Sequence, residues 1–74
     1  MSRSQITNRI RELRFFSDEM TQKELAEKVG VTRQTIVAME KQRYSPSLEL
    51  AFRLSRIFGK RVEEVFFYDA EETG

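Results

Sequence analysis

Residues 21–41 read TQKELAEKVGVTRQTIVAMEK, and their spacing decides the fold. Leu25, Ala26, Val29, Val31, Ile36 and Met39 fall where two short amphipathic helices would seal against each other, with polar and basic residues on the remaining positions. Gly30 stands between them, where the chain must turn sharply and a positive φ favours a residue without Cβ. Thr21 with Glu24 three residues on forms a capping box at the start of one helix, and Thr32 caps the next, which runs through about Lys41. Ala26 allows close approach of the second helix. The stretch predicts a helix-turn-helix, and with it sequence-specific DNA binding.

Working outward, Ile6, Ile10 and Leu13 at i, i+4 and i+7 predict a preceding helix over about 5–16. Arg9, Arg11 and Arg14 line its other faces, Arg11 reading as a solvated helix charge. Phe15 and Phe16 are consecutive, so a helix can bury only one of them fully, with Met20 placed to cover the other. Ser17-Asp18-Glu19 makes the connecting loop. Beyond the central stretch, 42–46 is a polar loop in which Pro46 disfavours helix at Ser45, and Ser47 caps a helix over 48–58. Leu50, Ala51, Leu54, Ile57 and Phe58 form its apolar stripe, Arg53 and Arg56 face outward, and Gly59 ends it. Val62, Val65 and Phe66 at i, i+3 and i+4 fit one more helical turn, followed by a short extended piece at 67–69. Residues 1–4 lack an apolar anchor and are expected to fray, as is the acidic end. No repeat, linker or second domain interrupts 1–74, so a single domain is expected, with the helix-turn-helix at 21–41 and a tail at about 62–69 able to dimerise.

Composition removes most enzyme chemistry. There is no Cys and no His, which excludes disulfide frameworks, thiolate or imidazole metal sites, and Ser-His-Asp or Cys-His nucleophiles. Adjacent carboxylates such as Asp18-Glu19 and Glu63-Glu64 point different ways and mark no pocket. No enzyme, catalytic residue, metal or cofactor is expected. No apolar run approaches the roughly 20 residues a membrane span needs, and the start shows no signal-peptide core, so a soluble, cytoplasmic protein without a membrane partner is expected. At 74 residues the chain is near the lower limit for a core unsupported by disulfides or metal, and oligomerisation would help.

Charge is divided along the chain. Residues 1–62 carry thirteen basic and seven acidic side chains, a balance of +6, whereas 63–74 carry five acidic and no basic ones, −5. Residues 32–62 alone hold seven basic against two acidic residues, +5. A basic body suits a polyanionic partner.

Five helical segments in this order, with the helix-turn-helix second and third, resemble the DNA-binding domain of the phage Cro and cI-type repressors, the XRE family. The resemblance covers nearly the whole chain. It is carried by Leu25-Ala26, Gly30-Val31, Thr32-Arg33-Gln34-Thr35-Ile36, Met39-Glu40 and the block Pro46-Ser47-Leu48-Glu49-Leu50-Ala51. The stand-alone small repressors are the nearest type, in which an aromatic tail, here 62–68, follows the fourth helix. The resemblance implies an all-α, five-helix lambda-repressor-like domain, with a short C-terminal strand at a dimer interface.

It also implies roles. The third helix would lie in the major groove with Thr32, Arg33, Gln34, Thr35 and Ala38 toward the bases. There an Arg fork suits guanine O6 and N7, and a Gln amide suits adenine N6 and N7. Relatives carry a larger polar residue where Ala38 stands. Gln22 would bond a backbone phosphate while bracing the third helix, and Lys41, Arg43 and Tyr44 would hold the next phosphates. Arg14 and Glu40 match positions that form a partly buried ion pair, although the loop 15–20 is one residue longer than in typical relatives and lacks their glycine. One such domain spans only about four or five base pairs, so relatives dimerise and set two recognition helices roughly 34 Å apart. The expected dimer surface is Val62, Val65, Phe66, Phe67 and Tyr68. Alternate residues of an extended 66–68 would face the core and the second chain. The expected function is a homodimeric regulator, a repressor on an inverted repeat of double-stranded DNA, with no small-molecule effector evident. The alternative is a protein-interaction module on the same fold, such as an antitoxin or a co-activator bridge.

Overall fold

The computed structural model describes residues 5–68, and the expectations for residues 1–4 and for the acidic end lie outside them. In chain order the elements are β1 (Ile6–Asn8), α1 (Ile10–Phe16), α2 (Gln22–Val29), α3 (Arg33–Glu40), α4 (Leu48–Ile57), α5 (Val62–Val65) and β2 (Phe66–Tyr68). Five helices enclose one core, and the two short strands pair antiparallel. Among the described residues no helix is long and apolar enough to cross a membrane.

The central unit forms where its local signals put it. Thr21 Oγ1 accepts the Glu24 N–H at 3.0 Å while the Glu24 carboxylate accepts the Thr21 N–H at 2.8 Å, so two orphan donors at the start of α2 are satisfied together. Gly30 closes α2 in the left-handed region at φ 80°, with its N–H on the Ala26 carbonyl. Thr32 caps α3 through the Thr35 N–H, and Ser47 caps α4 through the Leu50 N–H. Leu25, Ala26, Val29, Ile36 and Met39 are all buried. Arg53 on α4 reaches back to the Val29 carbonyl at 2.9 Å, which satisfies an acceptor at the end of α2.

The chain ends differ from the sequence expectation. The first helix begins at Ile10, not near residue 5, because Ile6 to Asn8 pair with the tail in the register Ile6 with Tyr68, Thr7 with Phe67 and Asn8 with Phe66. β-Branched Ile6 and Thr7 favour a pleated strand. The turn into α1 is fixed by the Asn8 side chain, which accepts the Ile10 N–H at 3.1 Å, and by the Arg9 N–H on the Val65 carbonyl at 3.1 Å. Ile6 still packs against the core, from a strand.

Phe15 and Phe16 are both exposed, meeting each other edge to face at 5.4 Å. The inward stripe of α1 is used up by Ile10 and Leu13, and the helix stops before another inward position arrives. Ile57 is 37% exposed and Phe58 packs against the core only partly buried, which leaves Leu50, Ala51 and Leu54 as the buried apolar stripe of α4. Between α1 and α2 the turn is made without glycine, Asp18 and Glu19 taking φ of 60° and 56°.

Candidate nucleic-acid interface

α2 and α3 present one continuous polar face, and its geometry is set by an ion pair beneath it. Arg14 Nε donates to Glu40 Oε2 at 2.7 Å and Arg14 Nη2 to Glu40 Oε1 at 3.0 Å, a bidentate pair that links the end of α1 to the last residue of α3. The longer loop does not displace it, since Arg14 Nη1 also donates to the Met20 carbonyl at 2.9 Å. Gln22 Nε2 donates to Glu40 Oε1 at 3.1 Å, so the glutamine at the start of α2 braces the end of α3. The Glu40 charge, which would repel a polyanion, is thereby neutralised by Arg14, and Gln22 adds a hydrogen bond from the other side.

Above this pair lies an open cleft of about 580 Å³ whose walls include Arg11, Arg14, Gln22, Lys23, Arg33 and Lys41. Arg11, Lys23, Arg33 and Lys41 are exposed and make no ion pair among the described residues. Among the described residues Glu19 is the one unpaired carboxylate on the same walls, so four unpaired cations face one unpaired anion and the cleft keeps a positive balance. Arg33 and Gln34 stand exposed on the first turn of α3 with no hydrogen bond from their side chains among the described residues. Thr32 and Thr35 share a hydroxyl contact of 3.0 Å, and Ala38 is half-buried one turn further on. Lys41, Arg43 and Tyr44 are exposed on the turn after α3, where Gln42 takes φ 61° and the Arg43 N–H bonds the Ala38 carbonyl at 2.9 Å.

The family model described as helix-turn-helix matches residues 10–65. The chain belongs to the helix-turn-helix family. A protein of Archaeoglobus fulgidus named as an uncharacterized HTH-type transcriptional regulator is 55% identical over 64 residues, covering 86% of this chain and 90% of its own. The similarly named YgzD of Bacillus subtilis is 44% identical over 64 residues, covering 86% of this chain and 96% of that one. Among solved structures, a Bacteroides fragilis protein superimposes with TM-score 0.71 over 84% of this chain and 98% of its own, and at 21% identity shows the fold alone. The clp gene regulator ClgR of Corynebacterium glutamicum matches with TM-score 0.66 and 27% identity, over 74% of this chain and 57% of its own. Fold and family are those of the XRE-like helix-turn-helix proteins.

The tail residues of this helix-turn-helix chain divide. Val65 and Phe66 are buried in the core, Val62 is half-buried, and Phe67 and Tyr68 are exposed, Tyr68 donating its hydroxyl proton to Gln5 Oε1 at 3.0 Å. Val62 also lines a recess with Phe52, which is half exposed, its other walls being Ser55, Arg56, Lys60, Arg61 and Glu63. The structure adds Arg11 and Lys23 to the cleft. Arg11 reads in sequence as an ordinary solvated helix charge, and only the fold brings it to the same cleft as Lys23. Nothing in the sequence singles out Lys23 or Asn8, whose side-chain amide donates to the Met39 carbonyl at 2.9 Å.

Proposed function

We propose that this chain is a DNA-binding transcriptional regulator, a homodimeric repressor that occludes a promoter by binding an inverted repeat. One observation carries it: the unengaged Arg33 and Gln34 stand on the first turn of α3 beside a cleft where Arg11, Lys23 and Lys41 outnumber the unpaired carboxylate of Glu19, while the nearby Glu40 charge is neutralised by Arg14. In this reading α3 enters the major groove, and Thr32, Arg33, Gln34, Thr35 and Ala38 meet base edges. A good bidentate pair discriminates by about 1–3 kcal/mol. Gln22 keeps a second amide proton for a phosphate at the start of α2, where the helix terminus favours an anion. Lys41, Arg43 and Tyr44 hold phosphates beyond α3, and Arg11 and Lys23 add to that set. These contacts fix affinity and register without reading sequence.

Dimerisation supplies the second half-site. With Val65 and Phe66 occupied in the monomer core, the apolar tail surface left to a second chain is Val62, Phe67 and Tyr68, extended by Phe52 beside Val62. The test is a gel-shift series with one duplex across salt concentrations. Phosphate neutralisation predicts that log K falls linearly with log salt, with a slope set by the number of phosphates engaged. Binding that is absent, or indifferent to salt, would overturn the DNA reading.

A further inference from the structure

Three elements meet at Asn8. Its backbone pairs opposite Phe66 in β2, its Oδ1 accepts the Ile10 N–H at 3.1 Å, and its Nδ2 donates to the Met39 carbonyl at 2.9 Å. Met39 is fully buried in the last turn of α3. The same carbonyl accepts the Gln42 N–H at 2.9 Å, while the Lys41 N–H bonds the Val37 carbonyl and the Arg43 N–H the Ala38 carbonyl. The turn that carries Lys41, Arg43 and Tyr44 is therefore folded on an acceptor that Asn8 grips from the strand side. Gln42 holds a positive φ there, a conformation that a non-glycine residue keeps only when its surroundings enforce it.

We propose that Asn8 is a positioning residue for DNA binding: it ties the C-terminal end of α3 and the 41–44 turn to the paired terminal strands, and so fixes where the phosphate contacts sit. The proposal rests on the DNA-binding reading above. Arg33 lies about 9 Å along the helix axis from Met39, so the tie acts on the phosphate-contacting end and not on the base-reading end. Its loss lowers affinity for all duplexes alike. It also makes β2 more than a cover for the core, because the strand that pairs with Asn8 reaches α3 through one amide.

Asn8→Asp separates the roles of the side chain. It keeps an oxygen to accept the Ile10 N–H but at neutral pH has no proton to donate to Met39, whereas Asn8→Ala loses both contacts. Two readouts are taken on wild type and both variants. One is amide hydrogen exchange at Lys41, Gln42 and Arg43; the other is affinity for a duplex selected from a random pool and for an unrelated duplex of the same length. For Asn8→Asp we expect exchange at those three amides to rise roughly tenfold and affinity for both duplexes to fall by a similar factor. Their ratio and the exchange of α1 amides should stay unchanged. Wild-type exchange at 41–43 in Asn8→Asp, or a loss confined to the selected duplex, would overturn the proposal. If wild-type protein bound neither duplex, the DNA reading would fail and with it the role of the turn in binding, while the exchange arm would still decide whether Asn8 holds the turn. Should Asn8→Ala not fold, Asn8→Asp alone carries both readouts.

Discussion

The helix-turn-helix and the paired chain ends are built by opposite means. Three of the four boundaries of α2 and α3 are set by a residue within four positions: Thr21 with Glu24, Gly30 with Ala26, Thr32 with Thr35. In the strand pair, Thr7 finds its partner in Phe67, sixty positions away. Local caps are written in the residues that make them. A long-range pairing is decided by what the core leaves uncovered, and here it leaves a place for Ile6 and Phe66.

The comparison is tested hardest at the tail, where adjacent aromatics have different jobs. Phe66→Ala should cost about 3–5 kcal/mol of unfolding free energy, the usual cost of removing a large buried aromatic. Phe67→Ala, at a 44% exposed position, should cost under about 1 kcal/mol when the monomer alone is unfolded at high dilution, its effect falling instead on dimer association. Urea denaturation of the two variants measures both. Equal, small effects would mean that the strand pair is an ornament on a core complete without it.

How much of this could be read from the chain follows the same division. The caps at Thr21, Thr32 and Ser47, the Gly30 turn and the buried faces of α2 and α3 were legible, because each is a short-range pattern with a direct physical cause. The Arg14–Glu40 pair came only through family resemblance, since residues 26 positions apart carry no local signal of contact. The start of α1 was misplaced because Ile6, Ile10 and Leu13 satisfy helical spacing whether or not residues 5–9 are helical. Nothing in that spacing reveals that β2 competes for them. The exposure of both Phe15 and Phe16 depends on where α1 stops, a boundary that periodicity does not fix.

A second test asks whether the centre is as locally determined as its caps suggest. Arg14→Met would leave Glu40, whose side chain is 8% exposed, with only the Gln22 amide as partner. A loss of about 2–3 kcal/mol is expected, from a carboxylate left buried without its cation. Thermal unfolding checks it, and the variant should also bind DNA more weakly because the negative charge beside the cleft is no longer neutralised. No change in stability would mean that α1 merely lies against α3.

The smallest effect lies at the start of α5. The Arg61 N–H donates to the Glu64 carboxylate at 2.8 Å and holds its pKa below the ordinary value; desolvation opposes that shift, and the nearby Arg61, Lys60 and Arg9 charges add to it. A carboxylate whose pKa is depressed by folding contributes stability above its unfolded pKa and loses it as pH falls through the folded value. An acid titration followed at the Glu64 carboxyl carbon by NMR should show that lowered midpoint. Glu64→Gln should remove this part of the acid sensitivity while leaving α2 and α3 intact.

The central claim is that the exposed first turn of α3 reads base sequence. Selecting bound sites from a random duplex pool with wild type, Arg33→Ala and Gln34→Ala tests it most directly. The wild type should enrich an inverted repeat with half-site centres roughly one helical turn apart, and each variant, folded as well as wild type, should lose preference at its own base position while still binding. A pool that comes through wild-type selection unenriched, or variants that keep the full wild-type preference, would contradict the claim.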